Sequence, residues 1–248
     1  MPPRPIFVVA GVGSGSGTGG ASARVFLNAG YRVALIARGS DSLTKFAGQL
    51  GGEAAAFPIA TYNYKEVETA FSAIKKHWPD SDIRVALYNA SVGIFKSFLE
   101  VTEEDLDKIT DSNVKGAFAF ARQAVVAFQD QSLDANGKRG TLLFTGATAA
   151  TRGNSMTSAF SAGKFSVRSL SQSLAKEFGK QNIHVAHAVI DGVIATDKPH
   201  RDLSETPGDK ENVGLAPESI AKSYLYLANQ DRSAWTWELD LRPAHEKW

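Results

Sequence analysis

Residues Phe7 to Arg38 decide the fold, and they read FVVAGVGSGSGTGGASARVFLNAGYRVALIAR. Two apolar runs, each long enough for a buried strand, enclose a loop of glycine and serine and a segment in which Ala21, Val25 and Phe26 recur at near-helical spacing. Gly30 stands where such a helix would end. The order of strand, glycine-rich turn, helix and strand predicts a βαβ unit with two parallel strands.

The glycines of this loop indicate what the unit binds. Gly15, Gly17 and Gly20 fit the pattern G-x-G-x-x-G, whereas Gly13, Gly17 and Gly19 fit G-x-x-x-G-x-G, and the sequence does not choose between them. A turn without side chains lets backbone N–H groups at a helix N-terminus approach a pyrophosphate. We therefore expect a dinucleotide at this loop, with a flexible turn that binds nothing as the alternative.

The residue after the second strand bears on which dinucleotide is bound. Val33 to Ala37 is the predicted strand, and Arg38 follows it. An acidic residue at this point commonly binds the ribose 2′-hydroxyl of NAD, whereas a cation suits a 2′-phosphate. The sequence therefore predicts NADP(H), with a merely solvated Arg38 as the alternative.

Composition limits the class of protein. The 248 residues suffice for one α/β domain, and 27 Lys and Arg residues nearly balance 26 Asp and Glu residues. This balance argues against a nucleic acid or an anionic membrane as partner. The absence of cysteine excludes disulfides and thiolate metal sites, and no apolar run approaches the roughly 18 residues of a membrane span. We expect a single cytoplasmic domain over residues 1–248 that binds a small molecule and no metal.

Apolar strands and amphipathic helices alternate along the rest of the chain. This order predicts an α/β fold of the doubly wound Rossmann class, with a mostly parallel sheet of about seven strands and helices on both faces. Residues 197–214 are polar and aperiodic and follow a strand, so we expect a substrate lid there. The further strands are expected at 54–59, 83–88, 141–145, 183–190 and 235–241, and the further helices at 41–50, 64–78, 103–129, 157–178 and 217–229.

Gly13, Gly17 and Gly19, with Gly30 eleven residues after the last, resemble the cofactor loop of the short-chain dehydrogenase/reductase family. Nearly the whole chain can be laid on that family's pattern. The resemblance implies a homodimer or homotetramer, with the helices at 103–129 and 157–178 forming a four-helix interface. The cofactor-binding residues that it implies are Gly13, Ser16, Gly17, Thr18, Gly19, Arg38, Asn89, Ala90, Lys164, Ile194 and Thr196.

Two asparagines match the family's pattern. Asn89 and Ala90 lie in the turn that usually reads Asn-Asn-Ala-Gly, from which Tyr88 and Ser91 depart. Asn113 stands at the position of the family's helix asparagine, which organises a water linked to the catalytic lysine. A buried asparagine in mid-helix would be costly without such a role, and this favours a functional interpretation of Asn113.

The catalytic groups depart from the family. Its members use a tyrosine as proton donor, a lysine four residues later that lowers the tyrosine pKa, and a serine thirteen residues upstream. Lys164 is present here, but Phe160 stands at the tyrosine position and Ala147 at the serine position. Phenylalanine has no proton to give, and no tyrosine lies between residues 140 and 170. Asn113 and Lys164 are the expected catalytic groups that remain, with a role in cofactor binding alone as the alternative.

Three functions are compatible with these departures. We favour an atypical NADP(H)-dependent oxidoreductase that acts on a carbonyl, enoyl or imine, with Thr148, Lys164 or a bound water as proton source. The second is a non-redox enzyme on the same scaffold, namely an isomerase, cyclase or lyase. The third is a cofactor-binding sensor or structural protein without turnover.

One acidic residue is a further candidate for catalysis. The family has Pro-Gly where this chain has Asp191-Gly192, so the Asp191 carboxylate is expected near the nicotinamide end of the cleft. Burial there would raise its pKa into a useful range for acid or base work. The alternative is that Asp191 hydrogen-bonds its own turn. His184 and His187 lie three apart on a predicted strand, hence on opposite faces, which argues against a shared metal.

Overall fold

The apolar runs of the sequence form a parallel sheet in the computed structural model, which describes residues 3–196 and 214–244. Seven strands are present among these residues: β1 Ile6–Ala10, β2 Arg32–Ala37, β3 Ala54–Pro58, β4 Ile83–Tyr88, β5 Gly140–Thr145, β6 Ile183–Ile190 and β7 Glu238–Leu241. The α-helices there are α1 Thr18–Asn28, α2 Ser40–Leu50, α3 Tyr64–His77, α4 Glu103–Ile109, α5 Ala117–Gln129, α6 Ser158–Phe178 and α7 Pro217–Asn229. Short 3₁₀ turns occupy Phe98–Glu100, Thr148–Ala150 and Gly179–Gln181. The lid expected at 197–214 lies outside the described residues except for its last position.

The order of the strands sets the place where a ligand can bind. It is β3-β2-β1-β4-β5-β6-β7, and all neighbours are parallel, with Val9 of β1 opposite Leu35 of β2 and Leu87 of β4. The chain therefore winds outward in one direction to β3 and then returns past β1 to begin the other half. A crevice forms at the carboxyl ends of β1 and β4, where the direction reverses. The predicted doubly wound Rossmann fold is confirmed.

Both faces of the sheet are buried by helices, as the continuous apolar strands require. Phe71 of α3, Phe120 of α5 and Val167 of α6 pack on one face. Phe26 of α1 packs on the other face together with residues of α2 and α7, and its ring stacks on Phe7 of β1 with centroids 3.9 Å apart. None of the helices in the described ranges is long and apolar enough to span a bilayer.

The helix expected over 103–129 has a different internal geometry. Thr102 begins it with a capping box that includes Asp105, but a π-helical stretch, Thr110–Gly116, separates α4 from α5. The Tyr88 hydroxyl donates a hydrogen bond to the Ser112 carbonyl at 2.5 Å, and a Cβ atom on Gly116 would collide with that hydroxyl. Side-chain periodicity does not reveal such a widened turn, so the sequence predicted one regular helix.

The last strand is shorter than expected. It begins at Glu238 instead of residue 235, because the Thr236 N–H donates to the Gln230 side chain at 2.9 Å and the Trp235 ring stacks on His184 with centroids 5.0 Å apart. The Trp237 carbonyl already accepts from the His187 N–H of β6 at 3.0 Å, so the chain joins the sheet just before Glu238. The aromatic and β-branched composition of this stretch favoured a longer strand than the structure has.

The two strand histidines point to different partners. His184 Nε2 lies 2.9 Å from the Thr236 carbonyl, whereas His187 Nδ1 lies 2.9 Å from the Glu238 carboxylate. Glu238 also accepts two hydrogen bonds of 2.7 Å from Arg168 of α6, so the pair ties β6, β7 and α6 together. Burial lowers the pKa of each imidazole to about 4, and both rings are therefore neutral at pH 7.

We expect Tyr88→Phe to lower the free energy of unfolding by about 1–3 kcal/mol, because the buried Ser112 carbonyl loses its donor. Urea denaturation measures the change. Tyr226→Phe is the matched control, since Tyr226 is 59% exposed on α7. A loss for Tyr88→Phe no larger than that of the control contradicts the role of this hydrogen bond.

Acid should destabilise the protein through the buried histidines. Their folded pKa of about 4 lies below the ordinary 6.5, so the unfolded chain binds more protons, and stability that is complete above pH 6.5 is lost as the pH falls toward 4. At pH 5 we expect a contribution of about 1–2 kcal/mol less per histidine than at pH 7. Urea titrations at pH 5 and pH 7 give the change in the free energy of unfolding between the two pH values. This change should be smaller for His184→Gln than for the parent. For the control His77→Gln, at an exposed histidine, it should equal that of the parent. Equal pH dependence in all three proteins would sink the prediction.

Candidate functional site

The loop between β1 and α1 crosses the turn that follows β4. Gly11, the first residue after β1, has a φ of +89°, and a Cβ atom there would lie 2.5 Å from the backbone of Ala90. A Cβ atom on Gly19 would collide with the carbonyl oxygen of Gly11. The two segments therefore approach each other too closely for side chains. Neither glycine pattern in the sequence includes Gly11, although its place directly after the first strand is a signal for it.

The beginning of α1 is suited to bind an anion. Gly17 is the N-cap, and no described side chain caps this end, so the first N–H groups remain available. Ser16 precedes the cap half-buried, and Thr18 is buried in the first turn. The Thr196 methyl group lies 3.9 Å from the position that a Cβ atom on Gly17 would take, and Ile194 lies in an isolated β-bridge just before it. Residues far apart in the chain thus meet at this loop.

A cavity of about 300 Å³ lies at the carboxyl ends of β1, β2 and β4. Arg38 follows β2 and is exposed at the edge of this cavity. Within the described part of the chain, no carboxylate forms an ion pair with Arg38. The guanidinium is therefore available for an anion from outside the protein. The cavity is lined by Gly11, Gly13, Ala37, Arg38, Tyr62, Asn89, Ala90, Ser91 and Ser112.

Asn89 connects the glycine loop to the centre of the sheet. Its Nδ2 donates to the Gly11 carbonyl at 2.6 Å, and its Oδ1 accepts from the Thr145 hydroxyl at 2.9 Å. Thr145 also shares a 2.8 Å hydrogen bond with the buried Tyr224 hydroxyl, and its carbonyl accepts from Lys164 Nζ at 2.9 Å. Thr145 thus joins the expected cofactor turn to the expected catalytic lysine. Thr145 lies two residues before Ala147, and its place in the sequence does not by itself indicate this role.

Lys164 and Asn113 are both buried where α6 passes the π-helical stretch. Burial lowers the pKa of the Lys164 ammonium to about 8, since the charged form loses its hydration. Asn113 Oδ1 accepts from the Val92 N–H at 3.1 Å, while its Nδ2 has no partner among the described residues. A Cβ atom on Gly163 would lie 2.7 Å from that Nδ2. The site therefore holds a lysine that titrates near neutral pH and an amide N–H with unused hydrogen-bonding capacity.

An aromatic ring borders the lysine where the family has a phenol. The centroid of the Phe160 ring is 5.9 Å from Lys164 Nζ and 5.1 Å from the centroid of the Phe95 ring. Ala147, at the serine position, is half-buried between β5 and the following 3₁₀ turn. This part of the site is thus apolar, and it offers Lys164 a cation–π contact in place of a hydroxyl.

Thr148 and Asp191 form a second cluster. The Thr148 hydroxyl donates to Asp191 Oδ1, and Asp191 Oδ2 lies 2.6 Å from Arg242 and 3.4 Å from Arg152. Asp191 is fully buried, but two guanidinium groups and a hydroxyl occupy both of its oxygens. The side-chain partners of Asp191 thus come from other segments and not from its own turn, and its role as an acid or base stays a prediction.

Comparisons with known proteins agree with this architecture. The family model for short chain dehydrogenase matches residues 7–205. The chain is 32% identical over 200 residues to a 3-oxoacyl-acyl-carrier-protein reductase from Bos taurus, which covers 80% of this chain and 79% of the relative.

Solved structures share the fold over nearly the full length. A short-chain dehydrogenase from Rhodopseudomonas palustris matches with a TM-score of 0.77 and 28% identity, over 97% of this chain and 100% of the other. An alcohol dehydrogenase from the archaeon Thermococcus sibiricus, solved with 5-hydroxy-NADP, matches with a TM-score of 0.81 and 22% identity, over 99% of each chain. The chain therefore belongs to the short-chain dehydrogenase/reductase family of NAD(P)-dependent oxidoreductases.

Proposed function

We propose that this protein is an NADP(H)-dependent oxidoreductase that acts on a small organic carbonyl, enoyl or imine substrate. The observation that carries the choice of NADP(H) is the Arg38 guanidinium at the edge of the cavity, without a carboxylate partner in the described ranges. A 2′-phosphate is the anion that suits a cation at this position of a Rossmann fold.

The residues present fit a dinucleotide. Gly11 and Gly19 keep side chains out of the place where the β1–α1 loop meets the turn after β4. The uncapped N–H groups at the start of α1 would bind the pyrophosphate. Asn89 and Ala90 border the same cavity, and Ile194 and Thr196 would bind the carboxamide. When bound, NADPH supplies the hydride for reduction.

Lys164 is the proton source that we propose for the reaction. With a pKa of about 8 it is mostly protonated at pH 7 and yet gives up its proton more readily than an ordinary lysine. The hydroxyl hydrogen of Thr148 is already donated to Asp191, so Thr148 holds the Asp191 carboxylate in position and is not the proton source. The Asn113 Nδ2, which has no partner among the described residues, would donate a hydrogen bond to a water molecule. This water would return a proton to Lys164 after the reaction.

A non-redox reaction is the second candidate function. The apolar Phe160 in place of the phenol favours it, because a ring without an acidic hydrogen gives no help to carbonyl reduction. Substrate-dependent loss of NADPH absorbance separates the two functions. Conversion of substrate with no change in absorbance would support the non-redox enzyme, and tight nucleotide binding without any conversion would support a sensor.

We also propose that the protein forms a homodimer or homotetramer through α5 and α6. Phe118 and Val126 of α5 and Phe165 of α6 are 46%, 47% and 42% exposed, so both helices carry apolar side chains on their outer surface. Sedimentation velocity of the parent and of a Phe118→Glu variant tests the interface.

A cytoplasmic location stays a prediction.

We expect Arg38→Asp to reverse the nucleotide preference, since the new carboxylate repels a 2′-phosphate and accepts from a 2′-hydroxyl. The ratio of the Kd values for NADH and NADPH, measured by fluorescence titration, should change by about tenfold or more. Arg4→Asp, at a 54% exposed arginine before β1, should leave the ratio unchanged. An unaltered ratio in Arg38→Asp would refute the role of Arg38.

We expect Phe160→Tyr to raise ketone reduction by about 10²-fold, because the phenol would lie beside the Lys164 cation and supply general acid catalysis. The rate of NADPH oxidation with ethyl acetoacetate measures it. Phe178→Tyr, at the far end of the same helix, is the matched control. If both variants reduce the ketone at the parental rate, proton supply is not what limits this enzyme.

A further inference from the structure

Arg152 is a cation beside the Thr148–Asp191 cluster, and the fold does not depend on its charge. It follows the 3₁₀ turn that begins with Thr148, and its side chain is 50% exposed. Its guanidinium nitrogens lie 3.4 Å from both oxygens of Asp191, at the far limit of a hydrogen bond. The contact is therefore weak.

Asp191 is already satisfied without Arg152. The Arg242 guanidinium lies 2.6 Å from one carboxylate oxygen, and the Thr148 hydroxyl donates to the other. Arg242 is 17% exposed, so this ion pair is the more buried of the two. Arg152 can leave Asp191 without uncovering an unpaired buried charge.

Two apolar side chains in this loop and in the loop bonded to it are open to solvent. Met156, in the same loop as Arg152, is 51% exposed, and its carbonyl accepts from the Lys96 N–H at 3.0 Å. That hydrogen bond fixes the neighbouring loop, where Phe95 is 60% exposed and packs its ring on Phe160. The surface formed by Phe95, Met156 and Phe160 thus extends from the vicinity of Lys164 to the loop that carries Arg152.

From this arrangement we propose that the substrate is an organic acid, whose carboxylate is bound by Arg152 and whose carbon chain lies on Phe95, Met156 and Phe160. The planar guanidinium matches a carboxylate with two parallel hydrogen bonds, and these are stronger than its long contacts to Asp191. The proposal rests on the proposed function, because that function places the reacting carbon next to Lys164.

A pair of probes that differ only in charge tests the proposal. The probes are 4-phenylbutyrate and 4-phenylbutyramide, and their affinities for the full chain are measured by calorimetry with and without NADPH. We expect the parent to bind the acid about tenfold or more tightly than the amide. Arg152→Gln should abolish this preference and leave the amide affinity unchanged, while Arg152→Lys should restore part of it. Arg4→Gln, at the amino end of the central strand β1, should behave as the parent.

Other outcomes overturn the inference. They are equal affinities of the parent for acid and amide, absence of binding of either probe, or a preference for the acid that survives in Arg152→Gln. NADPH affinity, measured on the same samples, keeps the two proposals apart. Nucleotide binding without a preference for the acid overturns the organic-acid proposal alone, whereas absence of nucleotide binding overturns the proposed function.

Discussion

The close crossing of two backbone segments, held by one side chain, is the constraint on which the site depends. The glycine loop after β1 and the turn after β4 touch so closely that a Cβ atom on Gly11 has no room, and Asn89 joins them by donating to the Gly11 carbonyl. The same asparagine accepts from Thr145, and through the Thr145 carbonyl the contact reaches Lys164. The expected nucleotide-binding turn and the expected catalytic lysine are thus parts of a single hydrogen-bonded unit.

This unit holds the surroundings of Lys164 in order without a phenol at position 160 or a hydroxyl at position 147. Lys164 does not depend on a phenol for its position, because the Thr145 carbonyl holds its ammonium and the packing of α6 buries its stem. The aromatic ring of Phe160 fills the neighbouring space without adding a polar group that would need a partner. A lysine held in this way is pre-organised whether or not a tyrosine stands beside it.

The sequence predicts the architecture well because strand and helix periods are local signals. The alternation of apolar strands and amphipathic helices after Phe7 predicts a parallel sheet, and Thr102 predicts the beginning of α4. The contacts of Asp191 were beyond such reasoning, since Arg152 and Arg242 reach it from distant segments and side-chain pairing across a fold leaves no trace in spacing. Gly11 and Thr145 were overlooked for the same reason, because their roles arise where the carboxyl ends of the parallel strands β1, β4 and β5 approach each other.

The π-helical stretch at Thr110–Gly116 has an evolutionary consequence. Its i→i+5 hydrogen bonds take up one residue more per ring than the i→i+4 bonds of an α-helix, and such stretches frequently occur at functional positions. Loss of a single codon here would let the backbone close as a regular helix, with α4 and α5 still facing the core. Asn113 would then be displaced from the place where it meets Val92. We therefore expect a single deletion in this stretch to change the surroundings of Asn113 before it changes the sheet.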